Sequence, residues 1–430
     1  MPKKRKAAGC FIIWIITRKT SIVSIGRHSY NIRMLKGKTV ILGVTASIAA
    51  YKAASLASML VKAGADVRVI MTPNAVNIIN PITFETLTGH KCLVDTFDRN
   101  FEFKVSHVSL AKAASVFIVA PASADTIAKL ANGLADDMLT TTFLAAACPK
   151  IICPAMNTAM FDNPITQDNL EKCRRFGMKV VLPAEGMLAC GDVGRGKMPE
   201  CEFLFAQIEH EIGYEKDFAG KRILVTAGPT REKLDPVRFI SNRSTGKMGY
   251  AVAKAAADRG AEVTLVSGPV ALEPPPFVKT IHVESAAQMF EAVRTEFSGA
   301  DIVIKAAAVA DYRPTDVYEQ KMKKTDGNLS IQLERTDDIL AYLGANKKRG
   351  QFLCGFSMET ENLIQNSRFK LERKNLDMIV ANCLKTAGAG FGTETNVITL
   401  ITKDSTTELP LMSKTEAAHR ILDEIKNAQN

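Results

Sequence analysis

The sequence predicts an α/β protein of two domains, each built on a mostly parallel sheet. An apolar run, a helical spacing and a second apolar run follow one another from about residue 39, and much the same pattern recurs from about residue 220. Two similar openings, Gly37-Lys38-Thr39 and Gly220-Lys221-Arg222, mark the two starts. At 430 residues the chain is also longer than one core usually supports.

In the first half, Thr39 to Val44 reads as a buried strand, Ala49 to Ala63 as a helix and Asp66 to Met71 as a second strand. Such a unit joins parallel strands through a right-handed crossover and reads as Rossmann-like. Val116 to Ala120 is another buried strand, and Pro121 to Thr126 leads into a helix from Ile127 to Asn132. In the second half, Gly220 to Thr226 is a strand, Gly249 to Arg259 a helix and Gly260 to Val266 the next strand. The boundary is expected near residues 213 to 219, after a polar helical stretch, so the domains are 34–215 and 216–430.

The net charge of +10 belongs mainly to the first 33 residues, where Lys3, Lys4, Arg5, Lys6, Arg18, Lys19, Arg27 and Arg33 face no acid. The rest is close to neutral, which argues against a nucleic-acid partner. Cys10 to Ile16 is too short an apolar run to span a bilayer, so no membrane partner is expected. Thr17-Arg18-Lys19 follows at once with no small-x-small site, unlike an export signal. Residues 1–33 are expected to be disordered or absent in the cell, since Met34-Leu35-Lys36-Gly37-Lys38 opens the first strand like a natural start. Nine cysteines form no C-x-x-C pair, which fits a reducing cytoplasm. Six scattered histidines argue against a histidine-based metal site.

Neither strand-to-helix turn carries G-x-G-x-x-G; the first is Gly43-Val44-Thr45-Ala46-Ser47-Ile48-Ala49. Its small and hydroxylic residues suit a single phosphate at a helix N-terminus, or a bare structural turn. Ser123 and Asp125 read as helix caps, and both could also line a cofactor ring. His107 precedes a helix, where packing or capping competes with catalysis. In Ala189 to Met198, Gly191, Gly194 and Gly196 predict a mobile, lid-like backbone. Cys190 lies at its root, with Arg195 and Lys197 close enough in sequence to favour a thiolate. An idle surface turn is the alternative. Lys321-Met322-Lys323-Lys324 is either a phosphate-binding cluster or a solvated loop. Ser244 to Gly249 fails as a P-loop, with Ser241 where the first glycine belongs and Met248 after the lysine.

Ser47-Ile48-Ala49-Ala50-Tyr51-Lys52, His107, Pro154-Ala155-Met156-Asn157-Thr158-Ala159-Met160 and Ala189 to Met198, in this order, resemble the flavin-dependent cysteine decarboxylases, specifically phosphopantothenoylcysteine decarboxylase. Ala227 to Glu232, Ile240 to Gly249, Ala306 to Pro314 and Lys321 to Lys324 resemble phosphopantothenate-cysteine ligase. The fusion is similar to the bacterial bifunctional enzymes of coenzyme A synthesis over about residues 35 to 427.

The resemblance implies a flavodoxin-like flavin domain followed by a mostly parallel-sheet ligase domain. In the first, FMN oxidises the thiol substrate to a thioaldehyde, the electron sink for loss of carbon dioxide, and then returns the electrons. His107 would be the base, Asn157 would hold the substrate carboxylate, Cys190 would return a proton, and Ser47, Ser123 and Asp125 would lie against FMN. In the second, 4'-phosphopantothenate and cysteine are joined using CTP and Mg²⁺, through an acyl-cytidylate and with release of pyrophosphate. Lys321 would supply charge to the triphosphate and Asn242 would position the acyl intermediate. Asp311, Lys321, Asp337, Asp338, Ile339, Leu340, Phe356, Lys370 and Lys374 would bind CTP, with Lys370 and Lys374 on one helix face. The sequence departs from the family at Asp125, where asparagine is common, at Thr45-Ala46, where glycine is frequent, and near Asp337. A homo-oligomer is implied, with trimers of the flavin domain and dimers of the ligase domain. A non-catalytic flavoprotein and an NAD(P)-linked reductase are the rival readings. Turnover separates the first, and bound FMN without nicotinamide dependence the second.

Overall fold

Apolar runs become parallel strands wherever helices cover both faces of the sheet. The computed structural model describes residues 34–96, 107–188, 191–323, 330–359, 362–383, 390 and 392–429. In the first half the elements are β1 (Thr39–Val44), α1 (Ala50–Lys62), β2 (Asp66–Met71), α2 (Pro81–Thr88), α3 (His107–Ala113), β3 (Val116–Ala122), α4 (Ala124–Asn132), α5 (Met138–Ala145), β4 (Lys150–Pro154), α6 (Thr158–Asp162), α7 (Pro164–Arg175) and β5 (Lys179–Val180). An antiparallel hairpin, β6 (Ala184–Met187) and β7 (Val193–Lys197), then leads into α8 (Cys201–Ile212).

The five strands are parallel in the order β2-β1-β3-β4-β5. Alternate side chains of β1 face opposite layers. Val40, Leu42 and Val44 pack with Leu56 and Leu60 of α1 and with Leu204 and Ile208 of α8. Ile41 packs with Phe117, Ile127, Leu139 and Phe143 on the other side. α4 begins three residues earlier than the spacing predicts, because Ser123 Oγ accepts from Thr126 N at 3.3 Å and supplies the cap.

The second half opens with β8 (Arg222–Ala227), the hairpin β9 (Arg231–Lys233) and β10 (Phe239–Ser241), α9 (Lys247–Asp258), β11 (Glu262–Ser267), β12 (Val278–His282), α10 (Ala286–Phe297) and β13 (Ile302–Lys305). It continues through β14 (Tyr312–Pro314), β15 (Leu333–Arg335), α11 (Ile339–Ala345), β16 (Phe352–Glu359), α12 (Leu363–Arg373) and β17 (Met378–Cys383). It ends with β18 (Thr395–Asn396), β19 (Ile398–Thr402), β20 (Thr406–Glu408), β21 (Met412–Ser413) and α13 (Lys414–Gln429). The main sheet runs β12-β11-β8-β13-β16-β17-β19-β20, parallel up to β17 and antiparallel beyond it.

α9 and α13 cover one face through Val252, Ala253, Ile421 and Leu422. α10, α11 and α12 cover the other through Met289, Val293, Leu343 and Leu371. α9 lies so close to β8 that a Cβ added at Gly249 would fall 2.5 Å from Ala227 Cβ. α8 meets α9 through a Lys254 Nζ to Glu209 Oε2 pair of 2.9 Å, which joins the two halves.

Candidate functional site

Each sheet offers a crevice beyond the carboxyl ends of its parallel strands, where the strand order reverses. In the first sheet that point lies between β1 and β3. Thr45 there is fully buried; its hydroxyl donates to Pro121 O and accepts from Ser123 N, both at 2.8 Å, tying the two strand ends together. Ser47 opens the turn into α1, with Ala50 N donating to its carbonyl at 2.9 Å. α1 starts with no side-chain cap and no acidic residue in its first turn. A helix start without a side-chain cap leaves backbone N–H groups of the kind that receive a phosphate. Asp125 is exposed and pairs with Lys129 at 3.6 Å. His107 is the half-buried first residue of α3.

Asn157 caps α6. Its Oδ1 accepts from Ala159 N at 2.8 Å, and its Nδ2 donates to Asp192 Oδ2 at 3.0 Å. The glycine-rich segment after it differs from the mobile lid that its composition predicts. Residues 193–197 form a strand, and Met156 N donates to Gly196 O at 3.1 Å. A Cβ on Gly194 would fall 2.7 Å from Thr158 Oγ1, and one on Gly196, at φ +144°, would strike Met156 O. These two glycines therefore permit close approach of β7 to residues 156–158. Arg195 pairs with Asp162 at 2.9 Å and Lys197 with Glu200 at 3.6 Å. Cys190 lies outside the described residues, as does Lys324.

In the second half, a cavity of about 300 Å³ is lined by Ser244 to Gly249, by Lys305 and Asp311 beyond β13, and by Phe356 on β16. A second cleft of about 340 Å³ adjoins it, lined by Asp337, Asp338, Ile339 and Lys374, and sharing Lys305, Val309 and Asp311. The structure thus groups Asp311, Phe356, Asp337, Asp338, Ile339 and Lys374 from four separate stretches of sequence. Asp338 caps α11 and pairs with Lys374 at 2.9 Å. Lys370 Nζ donates to Ser357 Oγ at 3.3 Å. Leu340 packs into the core. Asn242 Nδ2 donates to the carbonyls of Ala308 at 3.0 Å and Val309 at 3.1 Å, holding β10 against the cavity wall.

Lys321 is exposed and lines neither cleft. Its segment is strapped to the turn at 234–238. Tyr318 N donates to Leu234 O at 3.0 Å, Met322 N to the buried Asp235 carboxylate at 3.2 Å, and Arg238 Nη2 to Met322 O at 3.1 Å. Lys247 does not take the P-loop role. Its Nζ donates to Gly392 O at 2.9 Å and Glu394 Oε1 at 2.5 Å.

Sequence reasoning missed Lys305. It ends the apolar strand β13 at the carboxyl edge and lines both clefts. Burial, the largest influence, and the Lys374 charge lower its pKa to about 8, against the opposing charges of Asp338 and Asp311. A cation closing an otherwise apolar run, directly before Ala306-Ala307-Ala308, was the available signal.

Among the described residues, no group of three or more His, Cys, Asp or Glu could hold a metal ion, and no helix is long and apolar enough to cross a membrane. The flavoprotein family matches residues 28–213, and the DNA/pantothenate metabolism flavoprotein C-terminal domain matches residues 218–428. The coenzyme A biosynthesis bifunctional protein CoaBC of Bacillus subtilis (strain 168) is 49% identical over 91% of this chain and 97% of its own. Its counterpart from Vibrio cholerae serotype O1 is 46% identical over 90% of this chain and 98% of its own. A crystal structure of the C-terminal domain of a CoaBC protein is 50% identical, covering 49% of this chain and 95% of that one, with a TM-score of 0.42. With nearly half of its residues shared along almost the whole length of such relatives, the chain belongs to the family of bifunctional coenzyme A biosynthesis proteins.

Proposed function

We propose that the chain converts 4'-phosphopantothenate to 4'-phosphopantetheine in two steps, ligation in residues 216–430 and decarboxylation in residues 34–215. The observation that carries this reading is the cavity of about 300 Å³ in which the Ser244 to Gly249 turn faces Lys305, Asp311 and Phe356. Next to it, Asn242 is held by the carbonyls of residues 308 and 309. In the ligase step the carboxylate of 4'-phosphopantothenate attacks the α-phosphorus of CTP and pyrophosphate leaves. The amine of cysteine then attacks the acyl carbon of the cytidylate and CMP leaves. Asp311, Phe356, Lys370, Lys374 and residues 337–340 hold the nucleotide, Asn242 positions the acyl group, and Lys321 supplies charge to the triphosphate. The triphosphate would bring Mg²⁺ with it, and the metal would supply neutralising charge there with few protein ligands.

In the decarboxylase step, FMN held by Ser47, Ser123 and Asp125 supplies the oxidation and re-reduction of the thiol-bearing carbon. His107 takes the proton released in that oxidation, and Cys190 returns one to the product. Asn157 Nδ2 orients the carboxylate that departs as carbon dioxide. The Asp192 carboxylate 3.0 Å from that amide supports this role, since it occupies the donor as a substrate carboxylate would. We further propose a cytoplasmic homo-oligomer, trimeric through the flavin half and dimeric through the ligase half.

Mass spectrometry of the purified chain with 4'-phosphopantothenate, cysteine, CTP and Mg²⁺ tests the reading. Formation of 4'-phosphopantetheine and pyrophosphate supports both steps. Accumulation of phosphopantothenoylcysteine would leave the ligase standing and remove the decarboxylase assignment.

A further inference from the structure

Lys305 stands where the two clefts of the second half meet, on the central strand of the sheet and at its carboxyl edge. Among the described residues its ammonium makes one hydrogen bond, to Ala307 O at 3.3 Å, which is long for a charged donor. The charges that face it come from three directions. Asp311 lies in the segment after its own strand, Asp338 caps α11, and Lys370 and Lys374 come from α12 and the residue that ends it. Asp338 is already engaged by Lys374 at 2.9 Å and by Ala341 N at 3.0 Å. Lys374 thus competes with Lys305 for Asp338 at the junction of the two clefts, and the half-buried Lys305 ammonium keeps one long hydrogen bond among the described residues.

We propose that Lys305 is a substrate-binding residue of the ligase half, whose ammonium takes an anionic oxygen of the ligand that passes from one cleft to the other. This rests on the ligase reading and adds to it a contact and a proton. The anionic oxygen belongs either to the nucleotide triphosphate or to the phosphate or carboxylate of the acyl substrate, which share the same chemistry. Without ligand, burial and the Lys374 charge hold the pKa of Lys305 at about 8. A bound anion opposes that depression by attracting the charged form, and so raises the pKa. Binding at pH 8 therefore draws a proton from solution, and affinity declines as the pH is raised above 8.

Calorimetric titration of the full chain at pH 8, in two buffers of different ionisation enthalpy, measures that proton. CTP and 4'-phosphopantothenate are titrated separately, against wild type, Lys305→Met and Lys305→Arg. The expected result is uptake of roughly half a proton per site in wild type, with whichever ligand makes the contact. Lys305→Met takes up none and binds that ligand roughly tenfold or more weakly. Lys305→Arg keeps the affinity without the uptake, because its charge does not titrate. Should Lys305→Met fail to fold, retained binding without uptake in Lys305→Arg still supports the proposal. Uptake with CTP assigns the contact to the nucleotide phosphates, and uptake with 4'-phosphopantothenate assigns it to the acyl substrate. Wild type that binds both ligands without proton uptake overturns the proposal, as does unchanged affinity and uptake in Lys305→Met. A chain that binds neither ligand overturns the ligase reading and this proposal with it.

Discussion

Asn157 divides its carboxamide between two tasks, with the oxygen capping α6 and the nitrogen on Asp192. Asn157→Asp separates them, because a carboxylate still caps a helix but offers no donor and repels another carboxylate. The expected outcome is unchanged folding, unchanged release of pyrophosphate by the ligase half, and accumulation of phosphopantothenoylcysteine. Loss of one such donor slows the decarboxylation step roughly a hundredfold or more. Mass spectrometry of the products checks it, and equal loss of both activities would refute the role. Gly196 argues at the same scale. Its φ of +144° and its contact with Met156 O leave no room for a side chain. Gly196→Ala should lower the stability of the flavin half by about 1–3 kcal/mol in thermal unfolding, and should loosen residues 156–158.

Among the elements, α13 carries a titrating group that lines neither cleft of the second half. His419 stacks on Tyr214 with ring centroids 4.2 Å apart. Burial lowers its pKa to about 4, and the Arg259 charge adds to the effect. The folded state thus holds His419 neutral while the unfolded chain protonates it near pH 6.5. Its contribution is complete above about pH 6.5 and is lost as the pH falls toward 4, a loss of about 3 kcal/mol. Chemical denaturation of wild type and His419→Gln across this range should show a shallower acid loss in the variant. Parallel slopes would remove the assignment. β7 teaches a different lesson at this scale. Three glycines in six residues read as mobility, yet two of them face residues 156–158, about forty positions earlier in the chain. Local composition does not reveal a contact made across that distance.

For the whole molecule, the question is what anchors the segment that leads from the first half into the second. Arg259, at the end of α9, is 7% exposed and pairs with Asp217 of the connecting segment at 2.6 Å and with Asp423 of α13 at 2.7 Å. Lys426 adds a second contact to Asp217 at 2.9 Å, and the Arg259 guanidinium lies over the Phe218 ring. Burial raises the Asp217 pKa, but the hydrogen bond from Arg259, the largest influence, brings it down to about 2. Arg259→Met leaves a mostly buried carboxylate short of its partner and should cost about 3 kcal/mol. Faster proteolytic cleavage between residues 213 and 221 would report the loosened joint, and unchanged cleavage would show that the Lys254 to Glu209 pair suffices.

What the sequence by itself determined was the two α/β halves, their first strands and helices within a few residues, and the motifs at the strand ends. Each of these rests on local spacing: apolar runs make buried strands, a 3.6-residue period makes helices, and Ser123 announces a cap. Only the tertiary structure decided which motifs meet. It brought Asp311, Asp337, Asp338, Phe356 and Lys374 around Lys305, sent Leu340 into the core and left Lys321 on a strap outside both clefts. Those placements depend on crossovers that bring strands distant in sequence side by side, and on charges that act through space. A lysine at the end of an apolar run acquires its meaning from the lysines and carboxylates that the sheet sets around it.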